Sequence, residues 1–230
     1  MSILDNIDKI EERILKACQR SGRNRQEITL MGVTKFQPIK SIKEAWNAGL
    51  RCFGESRVQE AVSKFSAGRP ELNGMELHLI GSLQRNKVKA AVSLFDCIQS
   101  VDRESLIVEL IKHTEGREVP LPVLLEYRTG EDSKSGFTGI DTLLRAAELI
   151  SSCSTLKIAG LMTMAPNTTD EKPVRAAFRS LLNVRDELER AGKNRYSCIS
   201  MGMSGDFEIA IEEGSTLIRI GTAIFGEREA

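Results

Sequence analysis

From one end to the other, the chain alternates short runs rich in apolar and β-branched residues with longer amphipathic stretches, and this alternation decides its fold class. The short runs fall at residues 28–34, 51–53, 76–80, 95–99, 122–126, 156–161, 196–200 and 216–220. Helical patterns lie between them near 39–48, 55–66, 84–93, 103–114, 139–151, 171–191 and 205–213. An amphipathic stretch at 3–18 precedes them all, with Ile3, Leu4, Ile7, Ile10, Ile14 and Leu15 on one face. Eight strands, each coupled to a helix, predict an α/β fold: a single (β/α)8 TIM barrel with an extra N-terminal helix. An open doubly wound sheet would show a glycine-rich first turn, whereas the first turn, Thr34-Lys35-Phe36-Gln37, has no glycine. Neither G-x-G-x-x-G nor G-x-x-x-x-G-K-[ST] occurs.

The 230 residues suit one such barrel, since these run to about 250 residues, and no Pro/Gly/Ser-rich linker divides them, so residues 1–230 read as a single domain. The 32 basic and 32 acidic residues cancel, which removes the net field that gathers nucleic acid or an anionic membrane. Asp5, Asp8, Glu11 and Glu12 break the first apolar stretch, so it is no signal peptide, and no run approaches the roughly 18 apolar residues of a membrane span. Five scattered cysteines without a C-x-x-C pair argue against a disulfide framework and a zinc site, and point to a reducing cytoplasm. His78 inside a strand and His113 in a charged helix end, with no H-E-x-x-H, give no metal site.

In such a barrel the strand ends converge on one face, where chemistry is placed. Lys35 stands there, after the apolar run 28–34 and before Phe36-Gln37-Pro38, where a buried ladder must stop. That makes it a candidate amine nucleophile, provided its amine is uncharged when it attacks. The segment Ser200-Met201-Gly202-Met203-Ser204-Gly205-Asp206 follows the seventh run, and Ser204 is positioned to cap the next helix, so hydroxyl and backbone N–H groups can face one anion. Arg219-Ile220-Gly221-Thr222 ends the eighth, and barrels often hold phosphate between the loops after strands seven and eight. Met162, Met164, Met201 and Met203 read as packing around the mouth. An amine, a phosphate cradle and a strand-borne arginine on one rim suggest a phosphorylated aldehyde held as a Schiff base, with pyridoxal 5′-phosphate the obvious case.

Seven ordered blocks then carry a resemblance: Val33-Thr34-Lys35; residues 53–60, FGESRVQE; residues 78–87, HLIGSLQRNK; Ser133-Lys134-Ser135-Gly136-Phe137; residues 160–165, GLMTMA; Ser200-Met201-Gly202-Met203-Ser204; and residues 219–226, RIGTAIFG. Together they resemble the pyridoxal phosphate homeostasis protein family, which shares the barrel of the alanine racemase N-terminal domain. The resemblance implies a pyridoxal-phosphate site made by Lys35, Ser56, Met162, Ser200, Met201, Gly202, Ser204, Arg219, Gly221 and Thr222. Lys35 would carry the cofactor covalently, Ser204, Gly221 and Thr222 would hold its phosphate, and Arg219 would face the pyridine nitrogen. A permanently charged arginine there disfavours protonation of that nitrogen and weakens the ring as an electron sink. The implied function is cytoplasmic cofactor binding and vitamin B6 homeostasis by a monomer without catalytic turnover, with pyridoxal-phosphate-dependent apo-enzymes as recipients. The alternative is a fold-type III enzyme such as an amino-acid racemase, for which only Tyr127, expected at the mouth, and Tyr196, expected in a buried strand, offer a second acid/base. Two departures stand out: Ser56 where the family prefers Asn, and Glu126-Tyr127-Arg128-Thr129-Gly130 where it reads closer to Asn-x-Ser.

Overall fold

Parallel strands β1 (Thr29–Val33), β2 (Cys52–Glu55), β3 (Glu76–Leu79), β4 (Cys97–Val101), β5 (Leu121–Glu126), β6 (Leu156–Met162), β7 (Cys198–Ser200) and β8 (Leu217–Ile220) pair in chain order and close on themselves, β1 bonding to β8 from Thr29↔Leu217 to Gly32↔Ile220. The computed structural model describes residues 2–68, 72–130, 135–192 and 194–226. Strands buried on both faces read as continuous apolar runs, and β1, β2, β4 and β8 are buried along almost their whole length.

Around the barrel lie α2 (Ile39–Asn47), α3 (Val58–Gly68), α4 (Val88–Leu94), α5 (Glu104–Thr114), α6 (Ile140–Ser151), α7 (Glu171–Ala191) and α8 (Phe207–Glu212), and the chain adds α9 (Thr222–Phe225) after β8. Preceding them, α1 (Ile3–Ser21) starts in a capping box, Ser2 accepting the Asp5 N–H and Asp5 accepting the Ser2 N–H. Its buried stripe of Ile7, Ile10, Ile14 and Ala17 packs on α8 and α9, and Asn6 Nδ2 donates to Ile224 O at 2.9 Å. The strands and helices sit where the alternation predicts, with shifted ends. The second run extends to Glu55, the fourth starts at Cys97, and 84–93 divides into a tight turn at Arg85–Lys87 followed by α4. Apolar periodicity marks which face is buried, whereas the end of a ladder depends on the neighbouring strand.

Two cores result. The larger fills the layer between sheet and helices and includes Phe53, Phe65, Phe178 and Phe207. Inside the barrel, Met31, Cys52 and Leu217 form one small cluster and Cys97, Leu124 and Met162 another, with Cys198 packed against both. Among the described residues no helix is long and apolar enough to cross a membrane.

Candidate functional site

Lys35 lies in the turn immediately after β1, half-buried, and among the described residues its ammonium has no hydrogen-bond or ion-pair partner. The turn around it is held from outside the barrel. Lys64 on α3 donates to the carbonyl of Thr34 at 2.7 Å and to Glu55 Oε1 at 2.9 Å, and pairs with Glu60. Glu55 is fully buried and also accepts from Thr34 Oγ1 at 2.8 Å. Burial pushes its carboxyl up, against the pull of Lys64, and its Oε2 has no partner among the described residues. Phe36 takes a left-handed φ of 64°, a conformation a bulky L-residue adopts only where its surroundings impose it. Its N–H donates to Glu60, and the guanidinium of Arg57 lies 5.4 Å from the centre of its ring.

Across the lumen, Arg219 on β8 is 4% exposed. Its Nη1 donates to Ser200 Oγ at 2.6 Å and its Nη2 to the Thr163 carbonyl at 2.8 Å. Ser200 in turn donates to Gln99 Oε1 at 2.7 Å, and the Gln99 amide meets His78 Nδ1 at 2.8 Å. A file of buried hydrogen bonds thus runs from the mouth down to β3, fixing the guanidinium and leaving part of its five-donor fork uncommitted. Burial works against the charge on Arg219, and Asp206 and Glu126 support it.

The loops after β7 and β8 meet Lys35 through the closure of the barrel. Gly202 accepts the Arg219 N–H at 2.9 Å, tying the first loop to β8. Its φ of 97° and the 2.6 Å that would separate a Cβ there from Ala210 Cβ require glycine. Gly221 lies against Val33, two residues before Lys35, and opens the short α9 with Thr222 exposed beside it. Ser204 does not cap α8. Asp206 is the N-cap, and its carboxylate accepts the Met203 N–H at 2.6 Å, which braces the turn.

The fold therefore brings Lys35, Ser56, Ser200, Gly202, Ser204, Arg219, Gly221 and Thr222 to or just below one end of the barrel. Ser56 is positioned by close backbone approach, since a Cβ on Gly81 would come within 2.2 Å of its carbonyl oxygen. Met162, level with Ser200 in register, faces the lumen beside them and packs against Cys97 and Leu124. Met201 does not join them: it is fully buried in the outer core, on the side of β7 away from the lumen. Alternation along a strand decides this, because adjacent residues face opposite sides. The same rule corrects Tyr127, which packs partly buried against the outer core, so that its neighbour Glu126 turns inward. Tyr196 is buried as expected. Ser133 and Lys134 lie outside the described residues.

Glu126 is the residue that sequence reasoning passed over, treating it only as part of a divergent loop. It is 3% exposed at the end of β5. Burial, reinforced by Asp102 and opposed by Arg219 and Ser135, raises its carboxyl from the usual range to about 7. The signal that reveals it is register: Glu126 follows Leu124 by two residues, and Leu124 faces the lumen.

Residues 6–229 match the family described as alanine racemase, N-terminal domain. A pyridoxal phosphate homeostasis protein of Vibrio cholerae is 42% identical, over 99% of this chain and 97% of that one. Its counterpart in Aquifex aeolicus is 39% identical over the whole of both chains. The structure of PipY from Synechococcus elongatus with PLP bound superposes with a TM-score of 0.82 at 33% identity, covering 94% of this chain and all of that one. With the barrel, the ordered blocks and these full-length likenesses in agreement, the chain belongs to the pyridoxal phosphate homeostasis protein family, built on the alanine racemase N-terminal-domain barrel.

Proposed function

We propose that the chain, as a single domain over residues 1–230, binds pyridoxal 5′-phosphate at the barrel mouth through a Schiff base to Lys35 and takes part in vitamin B6 homeostasis as a carrier. The observation that carries this is the placing of a half-buried lysine amine, without a partner among the described residues, at the end of β1 and of a buried arginine fork across the same lumen. The residues fit the cofactor. A lysine amine at this position can condense with an aldehyde, expelling water. The backbone N–H groups opening α9 have no intrahelical partners, and Gly221, Thr222 and Ser204 supply donors for a phosphate. The remaining N–H groups of Arg219 suit an unprotonated pyridine nitrogen.

Bound pyridoxal phosphate supplies an electrophilic aldehyde and a ring that can accept electron density. Arg219 limits the second property, because a fixed positive charge opposes protonation of the ring, and this supports a carrier over a racemase. The relatives' name, homeostasis protein, supports the same reading. Tyr127 is turned toward the outer core, which removes the tyrosine expected to serve as the opposing acid/base. Five free cysteines agree with a reducing, cytoplasmic setting. We take the protein as a monomer whose recipients are pyridoxal-phosphate-dependent apo-enzymes.

Borohydride reduction of the loaded protein followed by peptide mapping tests the site. The label is expected on Lys35, and Lys35→Ala is expected to lose it while keeping weak affinity through the phosphate contacts. A label on Lys87 or Lys134 overturns the assignment. Incubation with single L-amino acids in D2O tests the carrier reading, which sustained α-proton exchange dependent on Lys35 would overturn.

A further inference from the structure

The opposite end of the barrel holds a second group of donors. Cys52 opens β2, Glu76 opens β3, and the two are register partners; His78, two residues along β3, shares the face of Glu76. His78 Nε2 stands 4.0 Å from Cys52 Sγ and 3.7 Å from Glu76 Oε2, and the three ligand atoms all lie within 4.8 Å of one another. Cys52 and His78 are buried, while the Glu76 side chain is 68% exposed and opens the cluster to solvent.

These separations are long for direct hydrogen bonds, so the imidazole Nε2, the thiol and the carboxylate surround a gap. A four-coordinate ion with bonds of about 2.0–2.3 Å holds its ligand atoms roughly 3.3–3.8 Å apart; the His78–Glu76 edge of 3.7 Å already fits, the 4.0 Å His78–Cys52 edge closes slightly, and the third edge is at most 4.8 Å. The imidazole is already aimed. Its Nδ1 is held at 2.8 Å by the amide of fully buried Gln99, itself fixed by Ser200, so Nε2 points into the gap. A metal-bound imidazole carries its proton on the other nitrogen and gives it to an acceptor; with Gln99 Oε1 accepting from Ser200 and its amide nitrogen at Nδ1, the proposal requires the Gln99 amide to turn over and offer its oxygen to the ring.

Charge also balances. One divalent cation, one thiolate and one carboxylate sum to zero, the condition under which an ion is tolerated in an interior of low polarity. Sulfur and nitrogen donors disfavour calcium and magnesium and suit zinc. Cys97, the register partner of His78, and Cys198, packed against Cys52, extend the sulfur lining.

We propose that Cys52, Glu76 and His78 bind one divalent cation of the zinc class at the end of the barrel away from Lys35, with water in the fourth position. The ion takes the place of the Cys52 thiol proton, which passes to solvent. The sequence hides the site because its ligands come from two strands, 24 residues apart from Cys52 to Glu76, and match no ligand spacing of a known motif.

Titration of untagged, reduced protein with Co2+ tests the proposal, because cobalt replaces zinc in such sites and reports a sulfur ligand by near-ultraviolet charge-transfer absorption. One equivalent is expected to produce that band together with tetrahedral visible bands, and Zn2+ is expected to abolish both. Cys52→Ala is expected to lose the charge-transfer band. Glu76→Gln, at an exposed position that leaves folding intact, is expected to weaken Co2+ at least tenfold, whereas Cys153→Ala leaves binding unchanged. Absence of the band in folded wild-type protein, its persistence in Cys52→Ala, or unchanged affinity in Glu76→Gln overturns the site.

Discussion

Glu126 shows how much one residue's surroundings decide. A carboxyl at the end of a strand would ordinarily be ionised and solvated, yet β5 turns this one into the lumen, where burial and the nearby Asp102 raise it to about 7. The folded protein then binds the proton more tightly than the unfolded chain does. The stabilisation is complete below about pH 4.5 and is lost as pH rises toward 7. Its size is on the order of 3 kcal/mol. Glu126→Gln keeps the shape and removes this titration, so its stability is expected to fall less steeply between pH 5 and 7.5 than that of the wild type. Urea melts of both proteins at several pH values check this, and parallel slopes would show that another group carries the pH dependence. When ionised, the same carboxyl supports the charge of Arg219.

Among the elements, α3 and the turn after β1 depend on each other. Lys64 on α3 reaches under the turn to hold Thr34, Glu55 and Glu60 at once, and Glu60 in turn holds Phe36 in its left-handed conformation. The turn is therefore positioned by a helix that lies between the next two strands, and only through it is Lys35 aimed at the mouth. Removing Lys64 leaves the buried Glu55 carboxylate without its cation, a loss of about 3 kcal/mol for a buried pair broken on one side. Lys64→Ala is expected to lose more stability at pH 8 than at pH 5, since a protonated Glu55 no longer needs the cation. Chemical denaturation at the two pH values measures this. Slower condensation of pyridoxal phosphate with the variant, followed by visible absorption, would report the loosened turn.

At the scale of the molecule, closure of the barrel is what makes a site. β1 and β8 are farthest apart in sequence and adjacent in space, so Gly221 lies against Val33 and the loop proposed to hold phosphate stands beside Lys35. A ligand bridging the two ends of the chain stabilises the whole fold by mass action. At a free concentration of about 100 times Kd the gain is roughly 2.7 kcal/mol. For a chain of this size that corresponds to a rise in Tm of about 5–10 °C. Calorimetry with and without pyridoxal phosphate should show the rise, reduced in Lys35→Ala, and no rise in the wild-type protein would argue against a site that spans the closure.

The sequence by itself determined the class of fold and the order of its parts, because burial on one face of each helix and both faces of each strand is written in residue spacing. It also marked Lys35, Arg219, Gly221 and the turn at 200–206, because glycines and lone charges at the ends of apolar runs are visible in one dimension. Strand ends and side-chain direction were left to the tertiary structure. Whether Met201, Tyr127 or Glu126 faces the lumen turns on a one-residue phase of the pleat, which only pairing with neighbouring strands settles. The lysine brace under the first turn, the hydrogen-bond file from Arg219 to His78, and the meeting of Cys52 with Glu76 and His78 depend on contacts between distant segments, and those distances come into being only when the sheet closes.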